Sequence, residues 1–268
     1  LNITREEAQA RARLLRVESY EIELDLTVGE TTFGSTTVAR VRCTEPGVST
    51  FVDLVAERVS EVELNGRALD PSEVFDGARI RLDGLEDENT LRVRGLCRYM
   101  HTGEGLHRFV DPVDKSVYLY SQFEVADSRR VFTVFEQPDL KATFRFTVTA
   151  PAHWQVVSNQ PTPAPTVDGE TGTWAFEPTP RISSYITALV AGPYTVERSE
   201  LTSSDGRVVP LGIFCRASLA EHMDADYLFD ITRKGFAFFE DQFGVAYPFE
   251  KYDQLFVPEF NAGAMENA

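Results

Sequence analysis

The sequence has few of the residues that build metal sites and cross-links. Its 268 residues hold three cysteines, Cys43, Cys97 and Cys215, and four histidines, His101, His107, His153 and His222. No two cysteines form a C-x-x-C pair and no two histidines stand four apart. These residues therefore show neither a zinc knuckle nor the helical two-histidine zinc motif. Three cysteines, odd in number and widely spaced, also argue against a disulfide framework; reduced, mostly buried thiols are expected. No apolar run approaches the ~20 residues that a membrane-spanning helix needs. The N-terminus, Leu1-Asn-Ile-Thr-Arg-Glu-Glu-Ala8, lacks the apolar core of a secretory signal, and a cytoplasmic location is expected. It lacks an initiating Met as well, which points to residues removed ahead of it. Positive charge is scarce: 26 Lys and Arg face 42 Asp and Glu, a formal net charge of −16. Phosphate binding is driven by Lys and Arg, so this balance argues against nucleic acid. Solubility is its simple consequence, with a long-range preference for cationic ligands as the alternative.

What is present reads as strands. At 43% hydrophobic and 25% charged residues, the composition is that of a globular chain long enough for one large or two modest domains. Thr4 and Glu7 make a T-x-x-E capping box, so a short helix should run to about Leu15. Apolar residues then alternate with polar ones in Tyr20–Val28 and again in Lys141–Thr149, where Ala142, Phe144, Phe146 and Val148 share one face. Asn65-Gly66 between two short apolar runs is a two-residue hairpin signal. Similar runs at residues 37–43, 50–55, 79–82, 90–95, 117–120, 154–158, 172–176 and 186–190 predict a β-sandwich or barrel. Gln160-Pro-Thr-Pro-Ala-Pro165 reads as an extended surface loop.

The pattern changes near residue 195. Ser218 and Glu221 form a second capping box. Leu219, Met223, Tyr227, Ile231, Gly235, Phe238, Phe239 and Phe243 then recur at three- and four-residue steps, predicting a helix of roughly 25 residues with a wide apolar stripe. Gly244 and Pro248 end it, and residues 251–258 read as a strand. The 25 residues after the helix are too few to cover its stripe, so the sequence is expected to be the front part of a longer chain.

Two motifs carry chemistry. One is Ser121-Gln-Phe-Glu-Val-Ala-Asp-Ser-Arg-Arg-Val-Phe-Thr-Val-Phe-Glu-Gln-Pro-Asp-Leu-Lys-Ala-Thr-Phe144; the other is Gly263-Ala-Met-Glu-Asn267. Together they resemble the aminopeptidase N family of zinc metallopeptidases, whose pattern (S/T)-Q-x-E-x-x-x-x-R-x-x-F-x-x-x-D-x-P-x-x-K-A-x-F is followed later by G-A-M-E-N. The likeness extends to Gly103-Glu-Gly-Leu-His-Arg108, to Pro193-Tyr194 and to Lys251–Phe260. Val134 and Glu136-Gln137 depart from it, standing where relatives often carry Cys and Asp-Glu. The resemblance implies an N-terminal, saddle-like β-sandwich domain over residues 1–194. The opening part of a thermolysin-like α/β catalytic domain would follow over 195–268.

By the same resemblance, Gln122 and Glu124 reach from the β-domain into an active site and meet Glu266. The two glutamates would bind the free α-amino group of a peptide, the expected partner. An α-ammonium titrates near pH ~8, and ionised carboxylates make short, charge-assisted bonds to it. A buried carboxylate pair left without that cation would be costly, which makes the arrangement selective for chain ends. Gly263 and Ala264 would pair with the substrate backbone as an added strand. Met265 would line a side-chain pocket or fill the core, and Asn267 would hold the loop's shape. Glu rather than Gln at position 124 fits an aminopeptidase better than the family's epoxide-hydrolysing cousin. Zinc is implied as cofactor, but its H-E-x-x-H ligands have no match here; the four histidines read as surface or packing residues. The expectation is a monomeric zinc aminopeptidase of which this chain supplies the amine anchor and, alone, no activity. The alternative is a natural non-catalytic peptide-binding or assembly module.

Overall fold

Period-two alternation makes most of the chain strand-forming, and the structure, a computed structural model describing residues 2–268, is mainly β. Strand Leu15–Asp25 runs through the middle of an eight-stranded sheet. It lies antiparallel to Thr32–Cys43 on one side and parallel to Thr143–Pro151 on the other. Glu88–Arg98, Arg58–Leu64 and Arg67–Leu69 extend one flank, and Thr171–Ala175 and Thr166–Asp168 the other. Tyr20, Ile22 and Leu24 point inward while Glu21 and Glu23 stay in water, as strand geometry requires. Their partners Phe144, Phe146 and Val148 are buried on the same face, and the Tyr20 and Phe144 rings stack at 5.0 Å. At Asn65-Gly66 both residues take positive φ, 54° and 77°, which is what a type I′ hairpin needs.

A second sheet, ordered Gln155–Ser158, Leu189–Gly192, Val117–Gln122, Gly105–Val110, is antiparallel throughout. Between the two sheets lies the stretch after Gln122. Phe123, Phe132 and Phe135 are fully buried, and Phe132 meets Phe123, Phe144 and Phe146 edge-on. Each such ring contributes about 1.5–3 kcal/mol by leaving water. The Gln122–Glu124 turn is therefore one end of the core itself.

A polar network pins that stretch from below. Arg11 of helix Arg5–Leu14 reaches Asp53 at 2.7 Å and Gln137 at 3.2 Å, with both members of the Arg11–Asp53 pair 2% exposed. Asp53 also accepts the Glu136 N–H at 3.1 Å. The buried Glu136 carboxylate accepts from the Ser128 and Ser184 hydroxyls and the Arg129 N–H, yet burial still raises its pKa. The helix begins with the expected capping box: the Thr4 hydroxyl accepts from Glu7 N–H, and the Glu7 carboxylate accepts from Thr4 N–H at 2.8 Å. Glu7 also binds Arg79, which holds its carboxyl down to about 2. Thr4→Ala should accordingly cost about 1 kcal/mol, read as a lower urea midpoint at unchanged m.

From Thr195 a third sheet begins: Thr195–Thr202 antiparallel to Val208–Cys215, which runs parallel to Tyr252–Phe256. Helix Ala225–Phe243 packs on it through Leu228, Phe229 and Phe236. The helix is shorter than its periodicity predicts. Ser218 does not cap it; its hydroxyl donates to Asp111 at 2.7 Å, and residues 217–222 form a 3₁₀ turn. Asp224 provides the cap instead, accepting from Tyr227 N–H. Gly244, at φ 65°, ends the helix as expected. Tyr227, Ile231, Phe238, Phe239 and Phe243 of the stripe are exposed.

Candidate functional site

The second and third sheets leave a cleft of about 750 Å³ between them. Tyr120, Ser121 and Ser158 line one wall, the strand Tyr252–Phe256 lines the other, and residues 262–268 cross its mouth. Those crossing residues are in extended, irregular backbone with no regular hydrogen-bonded structure of their own. What holds them is a fixture at each end.

At the leading end, the His107 ring is buried on strand Gly105–Val110 and Glu259 comes to its Nε2 at 3.0 Å. The Tyr120 hydroxyl donates to the Glu259 carbonyl at 3.1 Å, and Phe260 meets the Tyr120 ring edge-on at 5.7 Å. Asn261 donates to the Thr102 carbonyl at 2.5 Å. Gly103 makes room for it: a Cβ there would stand 2.3 Å from Asn261 Nδ2, and its φ of +79° is itself a glycine conformation. At the trailing end, Ala268 N–H donates to the Ile186 carbonyl at 3.1 Å, and the Asn159 amide donates to the Ala268 carbonyl at 2.5 Å. The segment is a strap fastened at both ends across the cleft.

Every residue of the second motif lines the cleft. Gly263 and Ala264 are exposed, and a Cβ at Gly263 would meet nothing within 4 Å. Glu266 is exposed and has no hydrogen bond or ion pair among the described residues. Met265 is half-buried. The Asn267 side chain makes no hydrogen bond among the described residues, so its expected role in holding the loop has no contact behind it. Asn261 and Asn159 do that work.

Of the first motif, Ser121 lines the cleft, while Gln122 and Glu124 sit beside it rather than in its lining. Gln122 closes strand Val117–Gln122, pairs across the sheet with Gly105, and accepts the Phe123 N–H at 3.1 Å through its own Oε1. Glu124 follows the buried Phe123 and is exposed, with no partner among the described residues. No contact joins Glu124 to Glu266. Lys251, which lines the cleft, is already paired with Asp253 at 2.6 Å, and burial lowers its pKa. Burial also pushes the Tyr120 phenol up to about 12, which keeps it a hydrogen-bond donor. Arg130 pairs with Asp127 at 2.5 Å and with Glu104 at 3.5 Å.

His107 is the residue that sequence reasoning passed over. It lies inside the Gly103–Arg108 motif, but only its contact with Glu259, 152 positions away, gives it a role. Among the described residues no three His, Cys, Asp or Glu side chains gather closely enough to hold a metal ion, so they do not form a zinc site. No helix among them is long and apolar enough to cross a membrane.

Sequence comparison agrees with this arrangement. Residues 93–186, which include Gln122 and Glu124, match the Peptidase M1 N-terminal domain, and residues 227–268, which include Glu266, match the Peptidase family M1 domain. The two matches together define an M1-type peptidase. Aminopeptidase N of Streptomyces lividans is 61% identical over the whole of this chain, which spans 31% of that protein. Aminopeptidase N of Acetobacter pasteurianus is 38% identical over 56% of the chain and 41% of its own length. The rat enzyme of the same name is 33% identical over 59% and 16%. The chain belongs to the M1 aminopeptidase N family, and it covers about a third of the length of its Streptomyces relative.

Proposed function

We propose that this chain is the substrate-gripping front portion of a zinc-dependent aminopeptidase that removes N-terminal residues from peptides. The observation that carries the reading is the doubly fastened strap, which holds Gly263–Asn267 across a cleft with Glu266 free of any partner among the described residues. Glu266 accepts from the substrate's α-ammonium, and Glu124 closes on it from the β-domain side with the Gln122 side-chain carbonyl as a further acceptor. An ammonium with several carboxylate acceptors is held by charge-assisted bonds roughly twice as strong as neutral ones. The exposed backbone of Gly263 and Ala264 offers main-chain pairing that reads no side chain, which suits broad specificity. Met265 adapts to the first side chain of the substrate.

On this reading residues 1–194 form the β-sandwich domain and 195–268 open the thermolysin-like catalytic domain. The zinc ligands belong to the remainder of the polypeptide, and the chemistry assigned here is confined to binding and orientation. Identity of 61% across the whole chain to an aminopeptidase favours this over a non-catalytic binding module. Three buried free cysteines fit a reducing cytoplasm. The test is to assay the 268-residue chain and the longer polypeptide on an aminoacyl p-nitroanilide with zinc. Turnover by the longer form alone is expected. Turnover by the short chain, or by neither, would overturn the assignment.

A further inference from the structure

Building on the amine-anchor reading above, we infer that His107 and Glu259 are positioning residues whose hydrogen bond sets the spacing between the two anchor carboxylates. The two halves of the anchor arrive on separate parts of the chain. Gln122 and Glu124 leave the end of strand Val117–Gln122, whose partner strand carries Gly105 opposite Gln122 and His107 opposite Tyr120. Glu266 lies seven residues beyond Glu259 on the strap. The His107 Nε2 to Glu259 Oε2 contact, at 3.0 Å, is therefore a direct side-chain tie between the strand pair that launches one carboxylate and the segment that carries the other.

The tie is built to have one geometry. The His107 ring is 1% exposed, stacked on Tyr120 at 4.8 Å, with the His101 ring edge-on at 6.3 Å. Its Nδ1 accepts the Gly103 N–H at 3.0 Å, which leaves the ring proton on Nε2, pointed at the Glu259 carboxylate. That internal bond fixes tautomer and ring orientation together. Glu259 itself takes φ +55°, a left-handed conformation that a non-glycine residue holds only when its surroundings impose it. The Tyr120 hydroxyl on its carbonyl and His107 on its carboxylate are the contacts that impose it. Asn261, seated over Gly103, then carries the turn into Gly263.

A lysine could reach Glu259, but it would bring a mobile positive charge beside a site meant to attract a cation. A neutral, doubly held imidazole gives direction without charge. Protonation would place a proton on Nδ1 against the Gly103 N–H and undo the socket. Burial lowers the pKa of His107, Glu259 opposing and His101 adding to the effect. The neutral tie is therefore complete above the ordinary histidine range and is lost only as pH falls through the lowered value.

The test uses the longer polypeptide and two inhibitors that differ only in the α-amine: leucine hydroxamate and 4-methylpentanoyl hydroxamate. His107→Phe keeps an aromatic ring and removes the donor. It should weaken the amine-bearing inhibitor about tenfold and move the amine-free one less than about twofold. His107→Gln, which restores an N–H donor, should recover most of the loss. If His107→Phe does not fold, Glu259→Ala carries the same expectation, since that side chain is half exposed and its removal opens no core cavity. Equal weakening of both inhibitors, or of neither, would overturn the positioning role. Glu266→Gln runs alongside as a separate check on the anchor. If it leaves the amine preference intact, the anchor reading itself fails. If it abolishes the preference while His107→Phe and Glu259→Ala do not, only the tie is refuted.

Discussion

Replacing Asp53 with Asn should cost about 3–5 kcal/mol of stability, because it removes the charge that pairs with Arg11 in the core among the described residues. Both side chains are 2% exposed and 2.7 Å apart. Arg11 is otherwise held by Gln137 and by the faces of Phe51 and Phe135, and its Nη2 has no hydrogen-bond partner among the described residues. A guanidinium left there without its carboxylate can neither shed its proton nor reach water. The second possible anion, Glu136, lies nearby, but it is committed to two hydroxyls and a backbone N–H, and burial favours its neutral form. The loss should appear as a lower urea midpoint. Tryptic cleavage at Arg129 and Arg130 should rise with it, because Asp53 also holds the Glu136 N–H and the neighbouring chain. Replacing the pair together, as Arg11→Met with Asp53→Leu, should recover much of the stability. A loss under about 1 kcal/mol in Asp53→Asn would show that Arg11 is solvated after all.

In the longer polypeptide, Glu266→Gln should lower kcat/KM for free-amine substrates about 10- to 100-fold, the value of one or two hydrogen bonds to a charged group. Glu266 keeps its shape in this variant and loses only its charge. Its side chain is exposed and makes no hydrogen bond or ion pair among the described residues, so no structural penalty from them confuses the reading. Glu124→Gln should act in the same direction. On the proposed reading both carboxylates serve one ammonium, so the double variant should lose less than the product of the two. Steady-state kinetics on an aminoacyl p-nitroanilide checks all three. Wild-type kcat/KM in Glu266→Gln would remove this residue from the anchor.

Much of the fold could be read directly from the sequence, because its signals are local. The Thr4–Glu7 box, the Asn65-Gly66 turn and the alternation through Phe144 and Phe146 each act over a few residues, and each formed as expected. What failed was where a distant partner outbid a local one. Ser218 has the sequence of a cap, yet its hydroxyl serves Asp111, 107 positions away, and the helix starts later at Asp224. Strand Gly105–Val110 was invisible because its two nearby glycines and its charged residues mask any alternation. The stripe of exposed aromatics was legible as a stripe, but which face of the helix would find a sheet was not.

The site divides in the same way. Its motifs were readable as motifs, and the cleft gathers all five residues of Gly263–Asn267. The fastenings that give them a shape were not. His107 with Glu259, Asn261 with Thr102 and Asn159 with Ala268 are separated by 152, 159 and 109 positions, and no periodicity links them.

The parallel pairing at the centre of the large sheet has a consequence for biosynthesis. Residues 15–98 supply five antiparallel strands that can assemble as soon as they leave the ribosome. The open side of Leu15–Asp25 must then wait for Thr143–Pro151, more than a hundred residues later, and stands meanwhile as an unpaired edge. Its outward glutamates, Glu21 and Glu23, with Arg40 of the neighbouring strand 3.9 Å from Glu21, keep that edge charged and hydrated and discourage a second nascent chain from adding itself there.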